Sequence, residues 1–312
     1  MRNNLHLTVC GVLALCCLSS CKRRVGEAAG GGEVRTGTVE VYVVNYPLQY
    51  FAERIGGEYV DVVFPAPADG DPAFWKPDAD VIAAYQNAEF VLVNGATYAK
   101  WTRNASLPAS SLINTTALVR DQYINVEQAA THAHASGEEH AHYGTAFTTW
   151  LDSDMAVAQA EAVRKALAGI RPQHAETFQQ NYAALLTDLR DLDRQLTVLV
   201  GDQTELPLVC SHPVYQYLTR RYSLNTRSLH WEPDVVPSEE MWTDLQELLG
   251  EHPAKFMVWE GEPLAESVDR LAQLGVSSVV FDPCGNVPDE GDFLEVMRRN
   301  VANLQAVFGG DE

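Results

Sequence analysis

From residue 38 onward, apolar positions follow two spacings in turn. Residues 38–44, 59–64 and 89–93 are short runs rich in β-branched and aliphatic side chains, and predict strands. Between them, residues 47–55 and 78–86 carry apolar positions at helical spacing. Gly56-Gly57 closes the first of these helices, and Asn94-Gly95 follows the third strand. Short apolar runs separated by helices predict a parallel sheet.

Residues 125–149 break this rhythm. They are polar, rich in His, Ala and Glu, and are expected to form a mobile surface loop with a His-rich tract at 131–143. A helix is then predicted from Asp152 or Ser153, ending near Gly169 and Pro172. A second starts near Gln173. Its stripe of Phe178, Tyr182, Leu185, Leu186, Leu189, Leu192, Leu196 and Leu199 advances by steps of three and four. Roughly 28 helical residues would reach ~42 Å, enough for a stiff spine between two lobes.

A second alternating set follows. Strands are predicted at 206–210, 226–229, 255–259 and 277–281, and helices at 214–222, 239–249, 264–274 and about 293–307. The fold class expected is α/β: two lobes, residues 38–150 and 205–312, each with a central, mainly parallel sheet. A long rigid helix within the connector, residues 151–204, joins them.

The N-terminus reads differently. Arg2 precedes an apolar run at 5–18 that is too short to span a bilayer comfortably. Leu18-Ser19-Ser20-Cys21 follows it, as in a bacterial lipoprotein signal. Residues 1–20 are expected to be removed and Cys21 to carry lipid. The Gly-rich stretch 21–37 would tether the folded part. The chain is then exported and lipid-anchored at the cell envelope, on the periplasmic side or the outer face of the plasma membrane. Of six cysteines, only Cys210 and Cys284 lie in the folded part, where they can pair in an oxidising compartment. A formal net charge of −20 argues against nucleic acid as a partner.

Candidate chemistry lies after the strands of the second lobe, because open parallel sheets bind ligands beyond the carboxyl ends of their strands. Ser211-His212 follows the first strand. His230, with Glu232 nearby, follows the second. Glu260 and Glu262 follow the third, and Asp282 the fourth. Singly, Glu260 and Asp282 also suit turn caps. Together, imidazole nitrogen and carboxylate oxygens suit Zn²⁺ or Mn²⁺.

Several short stretches carry a family resemblance: Tyr46-Pro47-Leu48, Asp71-Pro72 through Pro77, Trp150-Leu151-Asp152, Ser211-His212 with Arg220-Arg221-Tyr222, Glu262-Pro263, and Asp282-Pro283 with Gly285. In this order and spacing the chain resembles the ZnuA/TroA-like metal-binding lipoproteins of ABC importers. The resemblance implies one divalent ion held between the lobes, delivery to a membrane permease, and a monomer. It places ligands at His212 and Asp282. It favours zinc over manganese, because manganese binders often carry Glu where His212 stands. Two further His ligands are missing: Ala73 and Thr148 occupy their positions, and Lys76 lies nearby.

Other groups can complete such a site. His132, His134, His140 and His142, with Glu138 and Glu139, lie just before the second missing ligand. His230, Glu232 and Glu260 are further candidates, and Cys210 and Cys284 flank the site as soft ligands or a disulfide. Two alternatives stand beside metal transport. One is an organic or chelated solute lined by Phe74, Trp75, Trp231 and Trp259. The other is a surface adhesin. An enzyme is not expected: Gly-x-Ser-x-Gly, P-loop and dinucleotide fingerprints are absent, although Glu260 can serve as a general base.

Overall fold

The computed structural model describes residues 38–126 and 144–309, and the backbone of Thr131–Ala133 and Glu139–Ala141. In the first lobe the order is β1 (Val39–Val43), α1 (Tyr46–Gly56), β2 (Val60–Val63), α2 (Ala79–Asn87), β3 (Phe90–Val93) and β4 (Leu112–Asn114). The strands pair in parallel in the order β2-β1-β3-β4. Helix starts follow the capping rules: Asn45 accepts from the Leu48 amide, and Asp78 from that of Val81. β4 escaped the sequence reading because three half-buried residues carry no periodicity. Gly95, at φ +80°, turns the chain after β3; a Cβ there would meet Thr116 Oγ1 at 2.2 Å.

Within the polar stretch after β4, the described backbone includes four short strands. β5 (Asn125–Val126) pairs antiparallel with β8 (Gly144–Thr145), and β6 (Thr131–Ala133) with β7 (Glu139–Ala141). His132 stands opposite His140 along that backbone ladder. The side chains of His132 and His140, and all of His134 and His142, lie outside the described residues, as does Cys21.

The connector contains α3 (Ser153–Ile170), capped by Asp152, and α4 (Ala175–Val200), of 26 residues. α4 buries Phe178, Leu185, Leu189, Leu192, Leu196 and Val200 on one stripe. It packs on α1 and α3 and on α8 of the second lobe, so it runs along both halves. The second lobe holds β9 (Pro207–Cys210), α5 (Gln216–Tyr222), β10 (Asn225–Ser228), α6 (Glu239–Glu251), β11 (Phe256–Trp259), α7 (Ala265–Gln273), β12 (Ser277–Val280) and α8 (Phe293–Phe308). Its parallel sheet has the order β10-β9-β11-β12.

A continuous apolar core runs through both lobes. A second, around Trp231, Trp242, Trp259 and Met257, lies in the second lobe. Trp231 and Trp259 are therefore packing residues, 2% and 0% exposed, and do not line an organic pocket. Phe74 packs on Phe147 and Trp75 on Trp101. Cys210 and Cys284 are buried free thiols, which corrects the disulfide reading. Burial pushes the Cys210 thiol up to about 12 and raises that of Cys284 as well.

An ion-pair cluster ties the connector to the second lobe. Arg221 of α5 donates to both oxygens of Asp193 on α4, at 2.9 and 2.6 Å, and reaches Asp154 of α3. Burial works to raise the Asp193 pKa, but Arg221 outweighs it and the carboxyl sits below its ordinary value. A depressed carboxylate stabilises the fold above its unfolded pKa, about 4, and loses that contribution as pH falls through the folded value. Asp193→Asn should therefore cost about 1.5–3 kcal/mol at pH 7. In urea unfolding, its midpoint should converge on wild type as the pH drops below about 4.

Candidate metal centre

The second sheet delivers its side chains along one edge. Hydrogen bonding continues past the strand ends: the Ser211 amide donates to Val258 O, Trp231 to Ser211 O, and Phe281 to Trp259 O, at 2.7–2.8 Å. The loops after β9, β10, β11 and β12 thus leave the sheet side by side. They carry His212, Glu232, Glu260 and Asp282 to the same side.

Three of these converge. One donor atom each from His212, Glu232 and Glu260 lies within 4.8 Å of the others. His212 is 3% exposed. Its Nδ1 is 3.1 Å from Glu260 Oε1, and its Nε2 is 3.8 Å from Glu232 Oε1. The two contacts differ in kind. A carboxylate 3.1 Å from Nδ1 favours the proton on that nitrogen, which leaves an Nε2 lone pair facing Glu232. Ligands about 2.0–2.2 Å from a tetrahedral ion sit roughly 3.4 Å from each other, and both gaps fall near that spacing, so the Nδ1 hydrogen bond is what assigns Nε2 to the ion. Burial lowers the His212 pKa, but Glu260, Glu232 and Asp71 outweigh it and hold it above the ordinary value. A bound cation would replace that proton.

Asp282 borders the same cavity outside the tight cluster. Burial, reinforced by Glu260, raises its pKa, while the Cys284 amide, donating at 2.6 Å to Oδ1, opposes the shift. Asn300 of α8 clamps the Asp282 backbone through both its N–H and its carbonyl. His230 packs edge-on to His212 at 5.8 Å between ring centroids, and burial and the His212 charge lower its pKa. Glu232 was the least conspicuous of these residues in sequence. Its only signal was its place two residues after His230, in a loop leaving β10.

The first lobe presents a different surface. Ala73 is buried and has no donor, while its amide donates to Asp71 Oδ1 at 2.8 Å. The Thr148 hydroxyl donates to Val214 O, so it joins the lobes instead of facing an ion. A buried network fixes this edge: Asn45, Thr149 and Gln159 all donate to Asn94 Oδ1, and Asn94 Nδ2 donates to Phe147 O. Across the lobes, Trp150 Nε1 donates to Pro283 O at 2.7 Å and Tyr217 Oη to Ala146 O at 3.0 Å. Asn286 Nδ2 donates to the carbonyls of Pro67, Ala68 and Gly70, which draws a second-lobe loop over the first. Together these border an open cavity of 330 Å³ with His212, Glu232, Glu260 and Asp282 on one side and Asp71 and Tyr98 on the other.

The geometry separates two roles for Glu260. If it orients His212, Glu260→Gln retains an acceptor for Nδ1–H and should weaken zinc binding far less than Glu260→Ala, which should cost about 10–100-fold. Equal losses in a zinc titration would instead make Glu260 a direct ligand.

A family model described as "Zinc-uptake complex component A periplasmic", ZnuA, matches residues 41–307. The zinc-binding protein AdcA of Streptococcus pyogenes serotype M3 is 24% identical over 288 residues, covering 86% of this chain and 56% of AdcA. The chain thus spans about half the length of that relative. The crystal structure of Zn(II)-bound AdcA from Streptococcus pneumoniae has a TM-score of 0.73 at 20% identity, covering 88% of this chain and 59% of that one. The metal-dependent lipoprotein YcdH from Bacillus subtilis has a TM-score of 0.73 at 19% identity, covering 86% of this chain and 98% of that one. At these identities the structural likeness establishes the fold.

Proposed function

Since the chain belongs to the ZnuA family, we propose that it captures a divalent transition metal, zinc ahead of manganese, between its lobes and delivers it to the permease of an ABC importer. The convergence of His212, Glu232 and Glu260 on one point carries this reading. Nitrogen and oxygen donors of this kind suit zinc. Asp71, Asp234 and Asp282 border the same cavity and add to a field that draws in cations. His212 and Glu232 hold the ion, Glu260 orients His212, and Asp282 closes the far side. The long α4 helix and the cross-lobe hydrogen bonds keep closure modest, and release accompanies docking to the permease. The chain binds and transfers; it is not an enzyme.

In the same proposal, residues 1–20 are a signal peptide and residues 21–37 a tether from lipid on Cys21. Residues 38–150 and 205–312 are the two lobes, joined by 151–204. The chain acts as a monomer at the cell envelope. No helix among the described residues is long and apolar enough to cross a membrane. The tract at 131–143, with His132, His134, His140 and His142, collects zinc loosely. Zinc titration calorimetry on the purified chain tests the reading. One tight site per chain is expected; weak binding at several equivalent sites would sink it.

A further inference from the structure

A zinc site built from four protein ligands fills the coordination sphere of the ion. Here the first lobe offers alanine at one expected ligand position, and at the other a threonine whose hydroxyl is engaged with Val214 O. The space beside the cluster is also too large for a bare ion. At 330 Å³ it is many times one water's share of about 30 Å³, and it falls at the small end of organic-ligand sites, which run about 300–1,000 Å³.

The wall opposite His212 is built for something with its own acceptor. Tyr98 is 5% exposed, its hydroxyl has no hydrogen-bond partner among the described residues, and it borders this cavity. Buried hydroxyls are normally paired, so a partner from outside the protein is the missing element. Burial, with Asp71 nearby, raises the Tyr98 pKa well above the ordinary range, which keeps the phenol a donor. Phe147 and Trp150 flank it and supply apolar surface for a carbon skeleton. The surrounding carboxylates outnumber the charge of one divalent ion, which favours a zinc complex that stays net positive, as with an amino acid that coordinates through its deprotonated amine, over one made anionic by a polycarboxylate.

We propose that the ion is bound as a complex with a small amine-bearing chelator of amino-acid size. The donors of this chelator occupy the coordination positions left open by Ala73 and Thr148, and one of its acceptor atoms takes the Tyr98 hydroxyl. This rests on the metal-capture reading above and specifies its cargo.

Equilibrium dialysis of the full chain with radiolabelled zinc and differently labelled L-histidine tests it, with zinc citrate as the anionic comparison. One histidine should be retained with each zinc, and citrate should not. Tyr98→Phe, which keeps the ring packed on Phe147 and Trp150, should retain the histidine label about ten-fold more weakly, the scale of one lost hydrogen bond. Zinc retained without histidine, or a label held equally by Tyr98→Phe, would overturn the chelate and leave metal capture standing. If neither zinc alone nor zinc with histidine is retained, both readings fall.

Discussion

His212→Ala is expected to weaken zinc binding by at least about 100-fold, or roughly 2.7 kcal/mol. The size of the loss follows from the position of the ring. His212 is almost fully buried and stands between two carboxylates, one on each nitrogen. Removing it takes away the one nitrogen donor of the cluster and leaves Glu232 and Glu260 facing each other across a void. Partners that only orient a ligand typically cost about 10–100-fold, so a ligand should exceed that range. The variant should also unfold more readily without metal, because like charges are left close together. Calorimetry with zinc, beside urea unfolding of the metal-free protein, separates the two effects. An affinity for zinc within a few-fold of wild type would remove His212 from the site.

Trp231→Ala should be the most damaging substitution to the metal-free fold, at about 3–5 kcal/mol. Trp231 is 2% exposed and sits edge-on to Trp242 at 4.7 Å and against Trp259 at 6.1 Å. These rings dominate the smaller of the two cores, where no other large aromatic can close the gap. In thermal unfolding with a chelator present, a loss of this size should lower the midpoint by roughly 10 °C. Zinc affinity should drop as well. The Trp231 amide donates to Ser211 O, and the residue lies between His230 and Glu232, so its packing sets where Glu232 meets His212. A midpoint shift under about 2 °C would mean that the second core carries little of the stability.

The strand–helix alternation was legible mainly because β1, β3, β9 and β11 are runs of largely buried apolar residues. Asp152 announced the start of α3, and the Leu stripe announced α4. The edge of the second sheet was legible too, since a parallel sheet leaves only one set of strand ends for a ligand. What sequence could not supply was distance. His212 and Asp282 stood ahead of Glu260 and Glu232 as expected ligands, yet the tight cluster joins His212 to the two glutamates and leaves Asp282 at the cavity border. That choice depends on how the β10 loop is pulled onto Ser211 by a backbone hydrogen bond, which no local pattern encodes. Trp231 and Trp259, named as pocket lining, turned inward for the same reason, because packing between elements decides which face of a loop is buried. Tyr98 gave no signal at all. Its significance comes from an unpaired hydroxyl at the edge of a cavity, and that exists only once both lobes are assembled.

The most direct test of the account is a crystal structure of the zinc-loaded chain with anomalous data at the zinc edge. The account predicts a single anomalous peak within bonding distance of His212 Nε2 and a Glu232 oxygen, with Glu260 on Nδ1. A peak confined to the histidines of 131–143, with none beside His212, would contradict it.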